Sequence, residues 1–229
     1  MMVEFPPVYV VSGNNTLLPG FHCQMERYWP DAFVVYVHYG QLIMDVNSVS
    51  IGERVPDEGN WSNGLIEFFR EVPDEYFGVM LEDYWLVREV NHAMVSWMFD
   101  AAERAGVAKL DLHCGVSRLA HRQLSMLPFG PYQVRWLELD QGERYRTSLH
   151  FNIWRKDYFL KLLQPDMSPW QFELCNPGCI NDGELILGSL ECPVDYCNLM
   201  RRNVVSLPEL RRIPERDVAE MKRKGIYVP

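Results

Sequence analysis

Three observations predict an α/β fold with a sheet of mostly parallel strands flanked by helices. The runs 8–12, 32–39 and 76–81 are near-continuously apolar and rich in β-branched and aromatic residues. Strands without a polar face are buried on both sides, as in parallel sheets. Segments of helical periodicity separate the runs, and alternating strands and helices imply parallel pairing. The third run, Tyr76-Phe77-Gly78-Val79-Met80-Leu81, closes on Glu82-Asp83-Tyr84-Trp85-Leu86. A buried unpaired carboxylate carries a large penalty. Two acids at the end of a buried strand therefore either reach a site at the carboxyl edge of the sheet, where ligands of open α/β sheets bind, or begin a solvated turn. In a site, the pair can hold a hard divalent cation and the cation a diphosphate.

The remaining elements follow in order. Strand 8–12 opens into the polar loop Gly13-Asn14-Asn15-Thr16. A helix spans 17–28, its start blurred by Pro19 and Gly20, and Trp29-Pro30-Asp31 stops it. After the second strand, 40–60 is irregular. Ser62 is placed to cap a helix whose Leu65, Ile66, Phe68, Phe69 and Val72 recur at helical spacing. Asn91 is placed to cap a long helix with an apolar face of Met94, Val95, Trp97, Met98, Ala101, Ala102 and Ala105, ended by Gly106. The run 109–113 is another strand, and 116–128 a loop or short helix. The runs 132–139 and 145–153 alternate as strands, with Gly142 in the turn between them. A helix over 155–163 stops at Pro165, and Ser168-Pro169-Trp170-Gln171-Phe172-Glu173 starts another, with serine at the cap and proline at the first helical position. A last strand spans 184–190 and an amphipathic helix 213–225.

The chain of 229 residues suits a single domain, large enough to bury roughly 70–75% of its unfolded surface without covalent staples. Its net charge of −9 argues against a broad nucleic-acid surface. The balance reverses from Leu199 onward, where Arg201, Arg202, Arg211, Arg212, Arg216, Lys222, Arg223 and Lys224 form a basic tail that either faces an anionic ligand or packs on the acidic body. No apolar run reaches the length of a membrane span, and the N-terminus lacks a basic stretch followed by an apolar one. A cytoplasmic location is the expectation.

Cys23 and Cys114 read as small core residues. Cys175, Cys179, Cys192 and Cys197 form a C-x3-C…C-x4-C series, either reduced thiols or a zinc site, with Asn176-Pro177-Gly178 turn-like inside it. His113, His121 and His150 show no metal spacing. Arg118 and Arg122 could touch phosphate from a loop, and Arg155 reads as structural. No G-x-G-x-x-G, P-loop or G-x-S-x-G motif is present. Any phosphate binding must use metal and arginine.

The segments Trp61-Ser62-Asn63-Gly64-Leu65, Val79-Met80-Leu81-Glu82-Asp83-Tyr84-Trp85-Leu86, Ser148-Leu149-His150-Phe151-Asn152-Ile153-Trp154-Arg155-Lys156-Asp157-Tyr158-Phe159-Leu160 and Ser168-Pro169-Trp170-Gln171-Phe172-Glu173, with Arg27-Tyr28-Trp29-Pro30-Asp31 before them, resemble a family of bacterial and phage glycosyltransferase-like proteins of the GT-A fold. The resemblance implies one GT-A-like domain over 1–229. Residues 1–110 would bind a nucleotide-sugar (a UDP-sugar by expectation), 111–198 would face the acceptor, and 199–229 would form the basic tail. It implies transfer of a sugar to a hydroxyl acceptor, assisted by Mn²⁺ or Mg²⁺. Glu82-Asp83 falls where such enzymes carry a D-x-D-like motif, with Asp83 the metal ligand. Ser12, Gly13, Asn14, Trp61 and Asn63 fall near the donor nucleotide, Arg201 and Arg211 on a tail folding over it, and Tyr84, Trp85 and Trp170 near substrate. Glu173 matches the acceptor-side acid and would be the catalytic base. The acceptor is a glycan or small sugar, or a hydroxymethylated base of phage DNA. Two other classes stay open: a non-catalytic sugar-nucleotide-binding module, and a zinc-stapled interaction protein.

Overall fold

The chain opens, as the apolar runs predict, on a strand–helix–strand unit. β1 (Val8–Ser12), α1 (Leu18–Tyr28) and β2 (Val34–His38) follow one another, and β1 and β2 pair in parallel with Val8 opposite Val34. The structure is a computed structural model and describes residues 5–53, 61–113, 121–123, 131–174, 181–201 and 204–229. β3 (Ser48–Ser50) adds a parallel edge to β2 inside the stretch predicted to be irregular. Its side chains are exposed, so it left no apolar pattern. α2 (Trp61–Glu71) leads to β4 (Tyr76–Leu81), which pairs in parallel with the other side of β1. Next come β5 (Tyr84–Leu86), α3 (His92–Arg104), β6 (Lys109–Asp111), β7 (His121–Gln123), β8 (Trp136–Leu139) and β9 (Asn152–Arg155). The chain finishes with α4 (Lys156–Leu162), α5 (Pro169–Leu174), β10 (Ile186–Ser189), β11 (Tyr196–Asn198), β12 (Met200–Arg201), β13 (Val204–Val205), α6 (Leu207–Leu210) and α7 (Glu215–Arg223).

Among the described residues nine strands form one mixed sheet in the order β3-β2-β1-β4-β9-β6-β10-β8-β7. β9 is antiparallel to both β4 and β6, with Phe77 opposite Trp154 and Leu110 opposite Ile153. β10 runs parallel to β6, and β8 antiparallel to β10. The strand period of two divides side chains between two cores. Val8, Val10, Met80 and Ile153 pack with α1 and α3, whereas Tyr9, Val11, Val79 and Trp154 pack with α2 and α4. Both faces are covered, which is why these strands read as unbroken apolar runs.

Capping bears out two boundaries. Asn91 Oδ1 accepts from Met94 N (3.0 Å) at the start of α3, and Gly106 beyond its end takes φ +66°, a left-handed conformation that glycine adopts without a Cβ clash. Ser168 and Gln171 exchange hydrogen bonds at α5: Gln171 N donates to Ser168 Oγ (3.2 Å) and Ser168 N to Gln171 Oε1 (2.7 Å).

Two expectations are corrected. Ser62 does not cap α2. It lies inside the helix, and its hydroxyl donates to Gln164 O (2.6 Å) and accepts from Met167 N (2.9 Å), tying α2 to the turn before α5. The runs 132–139 and 145–153 are not whole strands joined by a turn: only Trp136–Leu139 and Asn152–Arg155 are strands, and these two do not pair with each other. β8 lies between β10 and β7, and β9 lies between β4 and β6. The reason is burial: Ile153 and Trp154 fill both cores and need a central position. Residues 145–151 precede the strand as a buried polar loop. The stretches carrying Cys114, Arg118, Cys175, Asn176-Pro177-Gly178, Cys179 and Arg202 lie outside the described residues, as does most of 116–128.

Candidate active site

β1 and β4 are adjacent and parallel, so the loops after them leave the same edge of the sheet. Glu82 and Asp83 occupy the turn between β4 and β5, closed by Trp85 Nε1 donating to Glu82 O (3.1 Å). The turn is packed in, not solvated: Glu82 is 9% exposed. Its Oε1 accepts from Gly13 N (2.9 Å) and Asn14 N (2.6 Å). The carboxylate thereby fixes the loop after β1. Within that loop Ser12 Oγ is buried and donates to Asn15 Oδ1 (3.0 Å), Asn14 Oδ1 accepts from Thr16 Oγ1 (2.6 Å), and Asn15 Nδ2 ties the loop to Tyr39 O (2.9 Å) and Gln41 O (3.0 Å).

Asp83 is held from the other side by the returning tail. Leu199 N donates to Asp83 O (2.9 Å). In the orientation that satisfies both ends of its amide, Asn198 donates to Asp83 Oδ2 (3.3 Å) and Met200 O (2.6 Å). Asp83 Oδ1 is buried and has no hydrogen-bond partner among the described residues. Desolvation, and after it the Glu82 charge, push this carboxyl well above the usual aspartate range; Glu173 adds to the effect and hydrogen bonds oppose it.

Glu173 arrives from α5. Its Oε1 accepts from Leu149 N (2.6 Å), and burial raises its pKa against that hydrogen bond and the nearby Lys109 charge. The polar loop before β9 is the scaffold. Lys109, wholly buried on β6, donates to Arg146 O (3.1 Å) and Ser148 Oγ (3.2 Å), and its Nζ lies 3.9 Å from Asp111 Oδ2. Desolvation pushes its ammonium down to about 8. Thr147 Oγ1 donates to Phe172 O (3.3 Å), and Arg146 Nη1 reaches Tyr158 OH and Asp182 Oδ1 (both 3.3 Å). The short strand and short helix that carry Glu173's surroundings are thus cross-braced by buried side chains.

The fold brings Glu82, Asp83, Gly13, Asn14 and Glu173 into one neighbourhood. Trp170, 48% exposed, lies three residues before Glu173 on α5 and so on the same face. Other predicted contacts are not brought in. Trp61 is buried against Phe172 (ring centroids 5.9 Å) and Asn63 is engaged with Asp166, Nδ2 to Oδ1 at 2.8 Å and Asp166 N to Oδ1 at 2.9 Å. Trp85 is wholly buried under α1, and Tyr84 is stacked on Tyr196 (4.6 Å, 21°), so neither offers a free ring face to substrate. Arg201 is exposed and pairs with Glu209 (3.0 Å), and Arg211 is exposed on the end of α6. Sequence reasoning missed Lys109, Asp111 and Asn198. Lys109 and Asp111 had a signal: two charges at i and i+2 in an apolar strand point to one face. Asn198 had none.

No helix among the described residues is long and apolar enough to cross a membrane. No protein-family model matches the chain, and no curated protein does. Solved structures do resemble it. The UTP-bound UGPase from Acinetobacter baumannii is 9% identical, with a TM-score of 0.52 over 98% of this chain and 100% of that one. UDP-glucose pyrophosphorylase complexed with UDP-glucose is 8% identical, with a TM-score of 0.50 over 96% and 100%. CMP:2-keto-3-deoxy-manno-octonic acid synthetase complexed with CTP is 12% identical, with a TM-score of 0.47 over 81% and 89%. At these identities the likeness is one of fold: the chain shares the α/β architecture of the UDP-glucose pyrophosphorylases.

Proposed function

We propose that this protein is a GT-A-like glycosyltransferase that moves a sugar from a nucleotide-sugar, a UDP-sugar first, to a hydroxyl acceptor. The observation that carries the reading is the convergence of Asp83, with a bare buried oxygen, and Glu173, with a raised pKa, at the edge where β1 and β4 end. The fold match to a protein complexed with UDP-glucose supports the donor class.

The residues fit a hard cation. Asp83 Oδ1 has lone pairs that no described residue uses, and Mg²⁺ is commonly held by one or two carboxylates together with substrate phosphates and water. Asp83 would hold the ion, with Glu82 fixing the loop beside it. When bound, the metal offsets negative charge on the departing diphosphate. Glu173 takes the acceptor hydroxyl proton as that oxygen bonds to the anomeric carbon. The bond from that carbon to the diphosphate oxygen breaks, and the nucleoside diphosphate leaves with the electron pair. A carboxyl shifted upward by burial is a better base near neutral pH than an ordinary glutamate. Trp170 can stack on a sugar face.

A glycan or small sugar is the favoured acceptor over DNA. Part of the basic tail is neutralised by nearby acids: Arg201 and Arg212 pair with Glu209, Arg212 also with Asp195, and Lys224 with Glu220. Weak salt dependence of acceptor binding is expected; a steep one would favour DNA.

Nucleotidyl transfer is the second reading, favoured by the two pyrophosphorylase matches. Against it, the loop after β1 holds no lysine or arginine, and two of its amides are taken by Glu82. Two incubations separate them. UDP release from UDP-sugar plus a sugar acceptor supports glycosyl transfer; pyrophosphate release from UTP plus a sugar 1-phosphate supports the alternative. Glu173→Gln should keep donor affinity and lose about 10²–10⁴-fold in transfer, and normal turnover would remove it from the mechanism. Failure of any UDP-sugar to raise the melting temperature in the presence of Mn²⁺ would remove UDP-sugars as the donor.

A further inference from the structure

We propose that His113, Cys192 and Asp195 bind a zinc ion, at a site separate from Asp83. Their ligand atoms all lie within 4.8 Å of one another, and all three residues are partly exposed. They come from two places that the fold makes adjacent. His113 follows β6, Cys192 and Asp195 follow β10, and β6 and β10 pair in parallel, so both chains leave the same edge of the sheet.

The donor set selects the ion. A thiolate, an imidazole and one carboxylate suit zinc, whereas Mg²⁺ and Mn²⁺ prefer all-oxygen sites. Tetrahedral bonds of about 2.0–2.3 Å put ligand atoms about 3.3–3.8 Å apart. Small side-chain rotations from the present separations reach that. Three protein ligands leave one tetrahedral position open to water or another donor. On binding, Cys192 releases its thiol proton to solvent and its weak contact to Val194 O (3.6 Å) is given up.

The backbone around the three ligands is already braced. Val194 N donates to Leu112 O (3.2 Å), Val87 N to Asp195 O (3.2 Å), and Arg88 Nη2 to Cys192 O (2.6 Å). Arg212 Nη2 donates to Asp195 Oδ1 (2.6 Å), an outer partner of the kind that orients a ligating carboxylate. His113 N donates to Asp111 Oδ1 (2.9 Å), and the ring lies between Tyr196 (4.4 Å) and His150 (5.3 Å). Such bracing lowers the ordering entropy that metal binding must overcome. The site also revises the cysteine series read from sequence. Cys197 is wholly buried with its thiol on Trp85 O (3.4 Å), while Cys192 is grouped with Asp195 on its own segment and with His113 beyond the end of β6.

The test is a titration of the full chain, stripped by chelator, with zinc chloride against a chromophoric competitor, and with cobalt chloride. One equivalent of zinc per chain is expected, with micromolar or tighter affinity and a rise in melting temperature. Cobalt should give a thiolate-to-metal absorption in the near ultraviolet. Cys192→Ser should abolish that absorption, and Cys192→Ser and His113→Gln should each weaken zinc at least 10-fold, while Cys23→Ser changes neither. Circular dichroism of each metal-free variant checks that it folds. Absence of stoichiometric zinc in the unmodified chain overturns the proposal. So does binding that survives both substitutions, including binding lost only in Cys175→Ser. Metal content is read without any sugar transfer, so the result is independent of the proposed activity.

Discussion

Asp83 puts one residue's function and its stability in opposition. Burial and neighbouring acids raise its pKa, so the folded chain holds a proton there at a pH where the unfolded chain has lost it. Stability from this group therefore falls as pH rises above about 4, the unfolded value. Asp83→Asn removes that slope. The variant should be more stable at neutral pH by about 1–3 kcal/mol, roughly 2–4 °C in melting temperature per kcal/mol, with no gain at pH 4. It should also lose metal-dependent donor binding. Thermal melts across pH 4–8 check this; a variant less stable by the same amount at every pH would refute it. At this scale the sequence was half legible. Glu82-Asp83 stood out because acids rarely close an apolar strand, but which of the two is engaged depends on Gly13 and Asn14, almost 70 positions away. Trp61 and Trp85, given ligand roles by the resemblance, are buried in the core; a large aromatic looks the same in sequence whether it faces a ligand or a core.

Elements were legible where local chemistry fixes them and illegible where a distant partner does. Asn91 and Gly106 bracket α3 as read, and Ser168-Pro169 starts α5. The capping role of Ser62 failed because Gln164 and Met167 outcompete the helix for its hydroxyl. The alternation over 145–151 came from a loop whose polar side chains bond to other elements (Ser148 to Lys109, Thr147 to Phe172 O, Arg146 to Tyr158 and Asp182), not from a pleat. The blurred start at Pro19-Gly20 has a tertiary cause: a Cβ at Gly20 would overlap the six-membered ring of Trp85, so α1 reaches β5 only through glycine. Gly20→Ala should lower stability by about 1–3 kcal/mol through overpacking, read by urea denaturation. Trp85→Phe in the same chain should recover part of the loss relative to its own effect alone; strictly additive effects would show that the two do not touch.

For the whole molecule, composition predicted one domain and runs of apolar residues predicted a sheet covered on both faces. The order of its strands could not be read, because β9 joins partners 73–79 and 41–45 positions upstream only through shape and burial. That insertion argues against independent halves. A fragment of residues 1–110 would cut β6 short and leave β4 without β9 beside it, and should show no cooperative melt; a well-dispersed amide spectrum from it would contradict this. The same arrangement has a consequence for birth on the ribosome. Since residues 152–155 fill the gap between β4 and β6, two sticky borders stay open while some forty further residues are synthesised after β6. Slow translation through that interval lengthens exposure to aggregation and to chaperone capture, and a rapid passage to Arg155 closes both borders with a single segment.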